Sequence, residues 1–167
     1  MSSVLLRSVT SEDQTFLQEL YVSVRQEEVM SWGWPSEQIQ AFLHMQWMAQ
    51  RSTYAVQFPD ASHHVIMLGQ ESVGQCCVHR STAYLRLVDI SILSAFRNRG
   101  IGSTILHNLQ LEATRSSIPI LLSVAIGNPA HRLYERLGFT ITGATDMYVS
   151  MQWQPPTNIS PMKGASR

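Results

Sequence analysis

The spacing of apolar positions changes several times along the chain, and each change predicts an element. Val4 to Val9 reads as a short opening strand. Thr10 with Asp13 three residues on has the form of a helix-starting capping box with Asp in place of Glu. Phe16, Leu17, Leu20 and Val24 then recur at helical spacing. Gly33 and Pro35 in the segment Met30–Pro35 interrupt that pattern and predict a second helix from about Ser36. Its apolar stripe is Ile39, Phe42, Leu43, Trp47 and Tyr54. From His63 the period falls to two. His63–Leu68, Val73–Arg80 and Ala83–Leu93 read as consecutive strands with turns at Gly69–Ser72 and Ser81–Thr82. A helix follows Arg97–Ser103 with Ile101, Ile105 and Leu109 on one face. Ile118–Ala125 reads as a buried strand. Asn128 and Pro129 start another helix that Gly138 closes, and Phe139–Trp153 supplies one or two last strands.

Strands in hairpin succession, followed by strand–helix–strand units, imply an α/β (α+β) fold: a mixed sheet covered by helices. Residues 1–154 are expected to form a single domain, with a disordered tail over 155–167. Lys plus Arg equals Asp plus Glu at 12 each, which gives nucleic acid and polybasic membrane contact no electrostatic basis. Charged residues are only 14% of the chain, so a neutral surface with apolar area for a ligand or a partner is expected. No run is long enough for a membrane span, and Met1–Ser8 lacks the form of a secretory signal. Cys76 and Cys77 are adjacent, point to opposite faces of a strand, and offer neither a disulfide framework nor a metal site. A cytoplasmic, metal-free protein is the expectation.

The segment Arg97-Asn-Arg-Gly-Ile-Gly-Ser103 is the first candidate for chemistry. Two glycines where a strand gives way to a helix allow close backbone approach to a ligand. The helix start beyond them offers unpaired N–H groups and the positive end of a dipole, which suits a diphosphate. Other phosphate loops do not match. Gly102 is followed by Ser103 and Thr104 without the lysine of a P-loop, and Ile105 stands where a dinucleotide fingerprint needs Gly or Ala.

Asn128-Pro-Ala-His-Arg-Leu-Tyr-Glu-Arg-Leu-Gly-Phe139 follows further along. With both segments in place, the sequence resembles the GNAT superfamily of acyl-CoA-dependent N-acyltransferases. Arg97, Gly100 and Gly102 match its coenzyme A loop, and Asn128, Tyr134 and Gly138–Phe139 match its later helix. The resemblance implies a mostly antiparallel sheet of six or seven strands with about four helices, splayed between the fourth and fifth strands. It implies acetyl-CoA as co-substrate, with no metal, and a primary amine of a small molecule or peptide as acceptor. Backbone groups of Ile92 and Leu93 would bond the pantetheine arm. Those of Asn98, Arg99, Gly100, Ile101, Gly102 and Ser103 would hold the pyrophosphate. Asn128 would reach the pantetheine, and Tyr134 would protonate the departing thiolate as general acid.

Relatives often place a Glu or His base on the fourth strand at positions matching Arg86 and Val88, neither of which accepts a proton at neutral pH. Asp89 is the nearest carboxylate but lies out of phase with them, unless a bulge re-aims it. Glu27, Glu28, His63 and His64 are alternatives, as is a base-free route. Met30, Trp32, Trp34, Met45, Trp47 and Met48 suggest an apolar acceptor region, with Trp34 as a contact and Glu27 or Glu28 steering the amine. The same residues would equally serve helix packing or a homodimer contact. The alternative to an enzyme is a non-catalytic acyl-CoA sensor of the same fold.

Overall fold

The computed structural model describes residues 3–157, except for the side chain of Glu27. The expected disordered tail therefore falls mostly outside the described residues.

Strand β1 (Val4–Ser8) leads through a 3-10 turn (Ser11–Asp13) into α1 (Gln14–Met30). The capping box forms as the sequence indicates: the Thr10 hydroxyl accepts from the Glu12 N–H, and the Asp13 carboxylate accepts from the Thr10 N–H at 2.7 Å. Arg7 grips the same carboxylate with both terminal nitrogens, at 2.9 and 3.0 Å, tying β1 to the start of α1. Helix α2 (Ser36–Gln57) begins where Pro35 predicts. It buries Ile39, Leu43 and Trp47 at four-residue spacing, with Val29 of α1 packed against Ile39 and Leu43.

Strands β2 (Ser62–Leu68), β3 (Glu71–Arg80) and β4 (Leu85–Ile92) form antiparallel hairpins. Helix α3 (Ile101–Ser116) then crosses to β5 (Ile120–Ala125), which lies parallel to β4, and α4 (Ala130–Arg136) leads to β6 (Thr140–Ala144) and β7 (Tyr148–Trp153). The seven strands make one sheet in the order β1-β2-β3-β4-β5-β7-β6. Its core lies on the α3 side. Ile66, Val73, Cys76, Leu85 and Leu87 from the sheet meet Ile105, Leu106 and Leu109 of α3 there.

Two irregularities of β4 shape the rest of the molecule. First, its parallel pairing with β5 covers only Leu85–Leu87 against Ile120–Leu122, after which the two strands have no further ladder contact. The sheet is splayed there, as the resemblance implies. Second, Cys77 pairs with Asp89 while Val78 pairs with Leu87, so Val88 is an extra residue without a partner. This bulge reverses which side chains face which layer. Leu85 and Leu87 point into the α3 core, whereas Asp89, which regular alternation would send the same way, faces α1 and α2.

Candidate active site

Just beyond β4, both polar backbone groups of Leu93 are used within the protein: its N–H donates to the Val73 carbonyl at 2.8 Å, and its carbonyl accepts from Phe96 at 2.9 Å. The Ile92 carbonyl is also taken, by Arg97 Nε at 3.0 Å. The Leu93 N–H is thus engaged within the protein, while each of these carbonyl oxygens keeps a second lone pair for the extended ligand that the resemblance implies. A 3-10 turn (Ser94–Phe96) needs these groups to bend the chain toward α3. In the antiparallel ladder successive residues face alternate neighbours, so the N–H of Ile92 is left toward the gap beside β5.

The loop reaches α3 through two left-handed residues, Asn98 at φ 62° and Gly100 at φ 80°. Asn is one of the few side chains that tolerate this region, and Gly meets no steric penalty in it. Among the described residues, the backbone N–H groups of Asn98 through Ser103 find no backbone acceptor; the first to do so is Thr104, whose N–H and hydroxyl both reach the Gly100 carbonyl. Consecutive free amides at the positive end of a sixteen-residue helix have the geometry to hold an anion. Arg97 and Arg99 stand exposed beside these amides. Gly102 has a different task from Gly100. A methyl there would lie 3.3 Å from Leu133 Cδ2 and 3.7 Å from Ile92 Cδ1, so its small size serves the packing of α3 on α4 and β4.

Across the gap, the Asn128 side-chain oxygen accepts from the Ala130 N–H at 2.9 Å and caps α4. Helix α4 buries Tyr134 to 5% exposure, with its ring 5.7 Å from that of Phe139. Burial pushes the phenol's pKa well above its ordinary value, and the nearby Asp89 and Cys76 push it further the same way. Its proton is therefore retained throughout the neutral range.

On the opposite face of the sheet, α1, the C-terminal half of α2 and strands β2–β4 enclose a cavity of about 320 Å³. Tyr21, Trp47, Tyr54 and Phe58 supply aromatic wall, while Gln75, Cys77, Asp89 and Ser91 form a polar floor. Asp89 Oδ2 accepts from Gln75 Nε2 at 2.8 Å. Burial raises the Asp89 pKa, opposed by that hydrogen bond and by the positive fields of Arg25 and His63. Arg86, on the same face, lies with Cζ 5.9 Å from the Phe58 ring centre.

The structure thus gathers the glycine loop, Tyr134 and Asp89 around the splayed half of β4. It does not bring Trp34 or Glu28 to the cavity. Trp34 instead packs edge-on against Trp32 and Phe42 at 5.1 and 5.4 Å, because the turn after α1 folds back on the first turns of α2. Of the apolar residues singled out in that region, only Trp47 lines the cavity. His63 lines it too, whereas Glu27 lies outside what is described of side chains. Sequence reasoning missed Tyr21, Tyr54, Phe58 and Gln75. For Gln75 a signal existed: a lone amide between the apolar residues Val73 and Cys76–Val78 of a buried strand. Among the described residues no helix is long and apolar enough to cross a membrane, and no cluster of three His, Cys, Asp or Glu side chains is placed to hold a metal.

Residues 59–141 match the family model described as the acetyltransferase (GNAT) domain. No curated protein matches the sequence. Solved structures do match in fold. The PaiA N-acetyltransferase of Thermoplasma acidophilum in complex with coenzyme A has a TM-score of 0.67 at 14% identity, over 91% of this chain and 99% of that one. An acetyltransferase from Thermus thermophilus has 0.63 at 18%, over 91% and 97%. Ard1 from Thermoplasma volcanium has 0.59 at 17%, over 92% and 99%. With the family match spanning the strands and the loop that shape the splayed gap, the chain belongs to the GNAT superfamily of acetyltransferases.

Proposed function

We propose that this protein transfers the acetyl group of acetyl-CoA to a primary amine by direct attack in a ternary complex. The observation that carries the reading is the Val88 bulge. It turns Asp89 toward the α1–α2 cavity on the same stretch of β4 that borders the splayed gap. Tyr134 lies close enough to feel the Asp89 charge. A carboxylate on the cavity side of the sheet and a phenol buried on its α3 side thus stand within electrostatic reach of each other.

The residues present fit coenzyme A. The free amides of Asn98–Ser103 suit its pyrophosphate, with Arg97 and Arg99 adding positive charge. The Ile92 N–H and the unpaired edge of β4 suit an extended amide-bearing arm laid in the gap like an added strand. When bound, the co-substrate supplies an activated acetyl thioester. Asp89 takes the proton that an ammonium must lose to become a nucleophile; its raised pKa makes it a stronger base than an exposed carboxylate. Tyr134 holds a proton for the departing sulfur. Tyr21, Trp47, Tyr54 and Phe58 accommodate the apolar part of the acceptor.

Calorimetric titration of acetyl-CoA and CoA, then a thiol-release screen over primary amines, tests the reading. Micromolar binding, about −8 kcal/mol, is expected for both ligands. Tyr134→Phe and Asp89→Asn should retain that binding while kcat falls by about 100-fold. Absence of binding removes the glycine loop's anion-holding role from the account. Tight binding with no turnover over the whole panel would favour an acyl-CoA sensor instead.

A further inference from the structure

The polar floor of the cavity contains a chain of hydrogen bonds that the reaction as described does not yet use. His63 Nε2 meets Gln75 Oε1 at 2.8 Å, and Gln75 Nε2 reaches both Asp89 Oδ2 at 2.8 Å and Ser91 Oγ at 2.9 Å. The direction of this chain is fixed by chemistry. An ionised carboxylate only accepts, so the Gln75 amide nitrogen must face Asp89 and its oxygen must face His63. His63 then carries its hydrogen on Nε2. Gln75 is 7% exposed and three of its four hydrogen-bonding positions are occupied, so its amide has one orientation.

We propose that Gln75 is a positioning residue for acetyl transfer: oriented by His63, it aims Asp89 and supplies the hydrogen bond that stabilises its ionised form. The inference rests on Asp89 as the base. The surroundings of Asp89 explain why a dedicated donor is needed. From α1, Arg25 offers positive charge but Tyr21 does not; from α2, Tyr54 faces it, with Arg51 on the cavity wall. Cys77 pairs with it from β3, Tyr134 lies across the gap, and Tyr148 of β7 adds to the raised pKa of Tyr21 and Tyr54. The phenols of Tyr21, Tyr54 and Tyr134 and the thiol of Cys77 bring no positive charge to this buried carboxylate, Arg25 acts on it without a hydrogen bond, and Gln75 is the side chain that bonds it directly.

The test reads the ionisation of Asp89 itself, through carboxyl carbon-13 NMR of aspartate-labelled protein, with the resonance assigned by its loss in Asp89→Asn. In Gln75→Met, which keeps the side chain's length, the Asp89 midpoint should rise by about one pH unit, the loss of one charge-assisted bond. His63→Leu should raise it by less. Gln75→Glu, close in shape to the native residue should the Met variant fail to fold, places a second carboxylate there and should raise it further. The acid limb of kcat/KM for thiol release from acetyl-CoA, with an amine chosen by the screen, should move by the same amount. An unmoved midpoint in the Gln75 variants overturns the role of Gln75 alone. A midpoint that moves while the kinetic limb stays put overturns Asp89 as the base, and the positioning role falls with it.

Discussion

Gly100 and Gly102 stand two residues apart in one motif, yet the structure assigns them different work, and paired alanine substitutions separate the two. At Gly100 an added methyl would meet nothing within 4 Å, so the cost of Gly100→Ala is backbone strain alone at φ 80°. A left-handed L-residue costs about 1–2 kcal/mol. In a domain of this size each kcal/mol lowers the melting temperature by about 2–4 °C, so a fall of about 2–8 °C is expected. Relief of that strain would rotate the free amides of Asn98–Ser103. Losing one charge-assisted bond to a diphosphate, about 1.5–3 kcal/mol, weakens CoA binding roughly tenfold or more. Gly102→Ala behaves otherwise. The methyl lies inside α3, where Ala is favoured over Gly by up to about 1 kcal/mol, and it crowds only the mobile end of Leu133 at 3.3 Å. Stability within about 0.5 kcal/mol of the parent and little change in CoA affinity are expected. Thermal unfolding and calorimetric titration measure both quantities. If Gly102→Ala keeps its stability but loses CoA, the ligand lies against Gly102 and the packing account of that residue is wrong.

Other predictions rest on equally local contacts. At Gly74, a Cβ would overlap the Ser91 carbonyl oxygen on the neighbouring strand, and backbone cannot move aside as a side chain can. Gly74→Ala should cost about 1–3 kcal/mol in urea unfolding; a neutral result would refute the β3–β4 register there. Arg7 and then the Thr10 N–H hold the Asp13 carboxyl well below the usual carboxylate range. A carboxyl whose folded pKa is depressed stabilises the fold above its unfolded pKa and loses that contribution as pH falls below it. The urea midpoint should therefore drop on acidification below about pH 4, and Arg7→Gln should flatten that part of the profile; identical slopes in both proteins would show the pair to be inert.

How much of the site is legible in sequence follows from how local each part is. The glycine loop needs only a strand end, a left-handed turn and a helix start, all encoded between Arg97 and Ser103, and that backbone geometry forms there. The cap at Asn128 follows from one helical segment and is equally readable. The cavity is different. Tyr21, Tyr54, Phe58 and Gln75 come from four elements and meet through the packing of α1 and α2 on the sheet. Their own spacing marks them only as core. The conspicuous tryptophans are placed by a related effect: Trp32 and Trp34 sit in a turn that folds back on Phe42 and do not line the cavity.

Asp89 shows what lies between these cases. Its type and place beside the expected base positions are plain in sequence, and its phase is wrong for them by one residue. The correction lies in Val88, yet nothing in Leu-Arg-Leu-Val-Asp-Ile distinguishes a bulge from regular alternation, because a bulge is a relation between two strands. The same extra residue falls where β4 parts from β5, directly after Leu87, the last residue paired with Leu122. A regular strand would bury the carboxylate among Leu85, Leu87 and the helix α3 side chains, where an unpaired charge has no compensation. The bulge instead delivers it to Gln75 at the edge of the opening. One inserted residue therefore marks the end of strand pairing and aims the carboxylate, so deletion of Val88 should disturb the gap and the proposed base together.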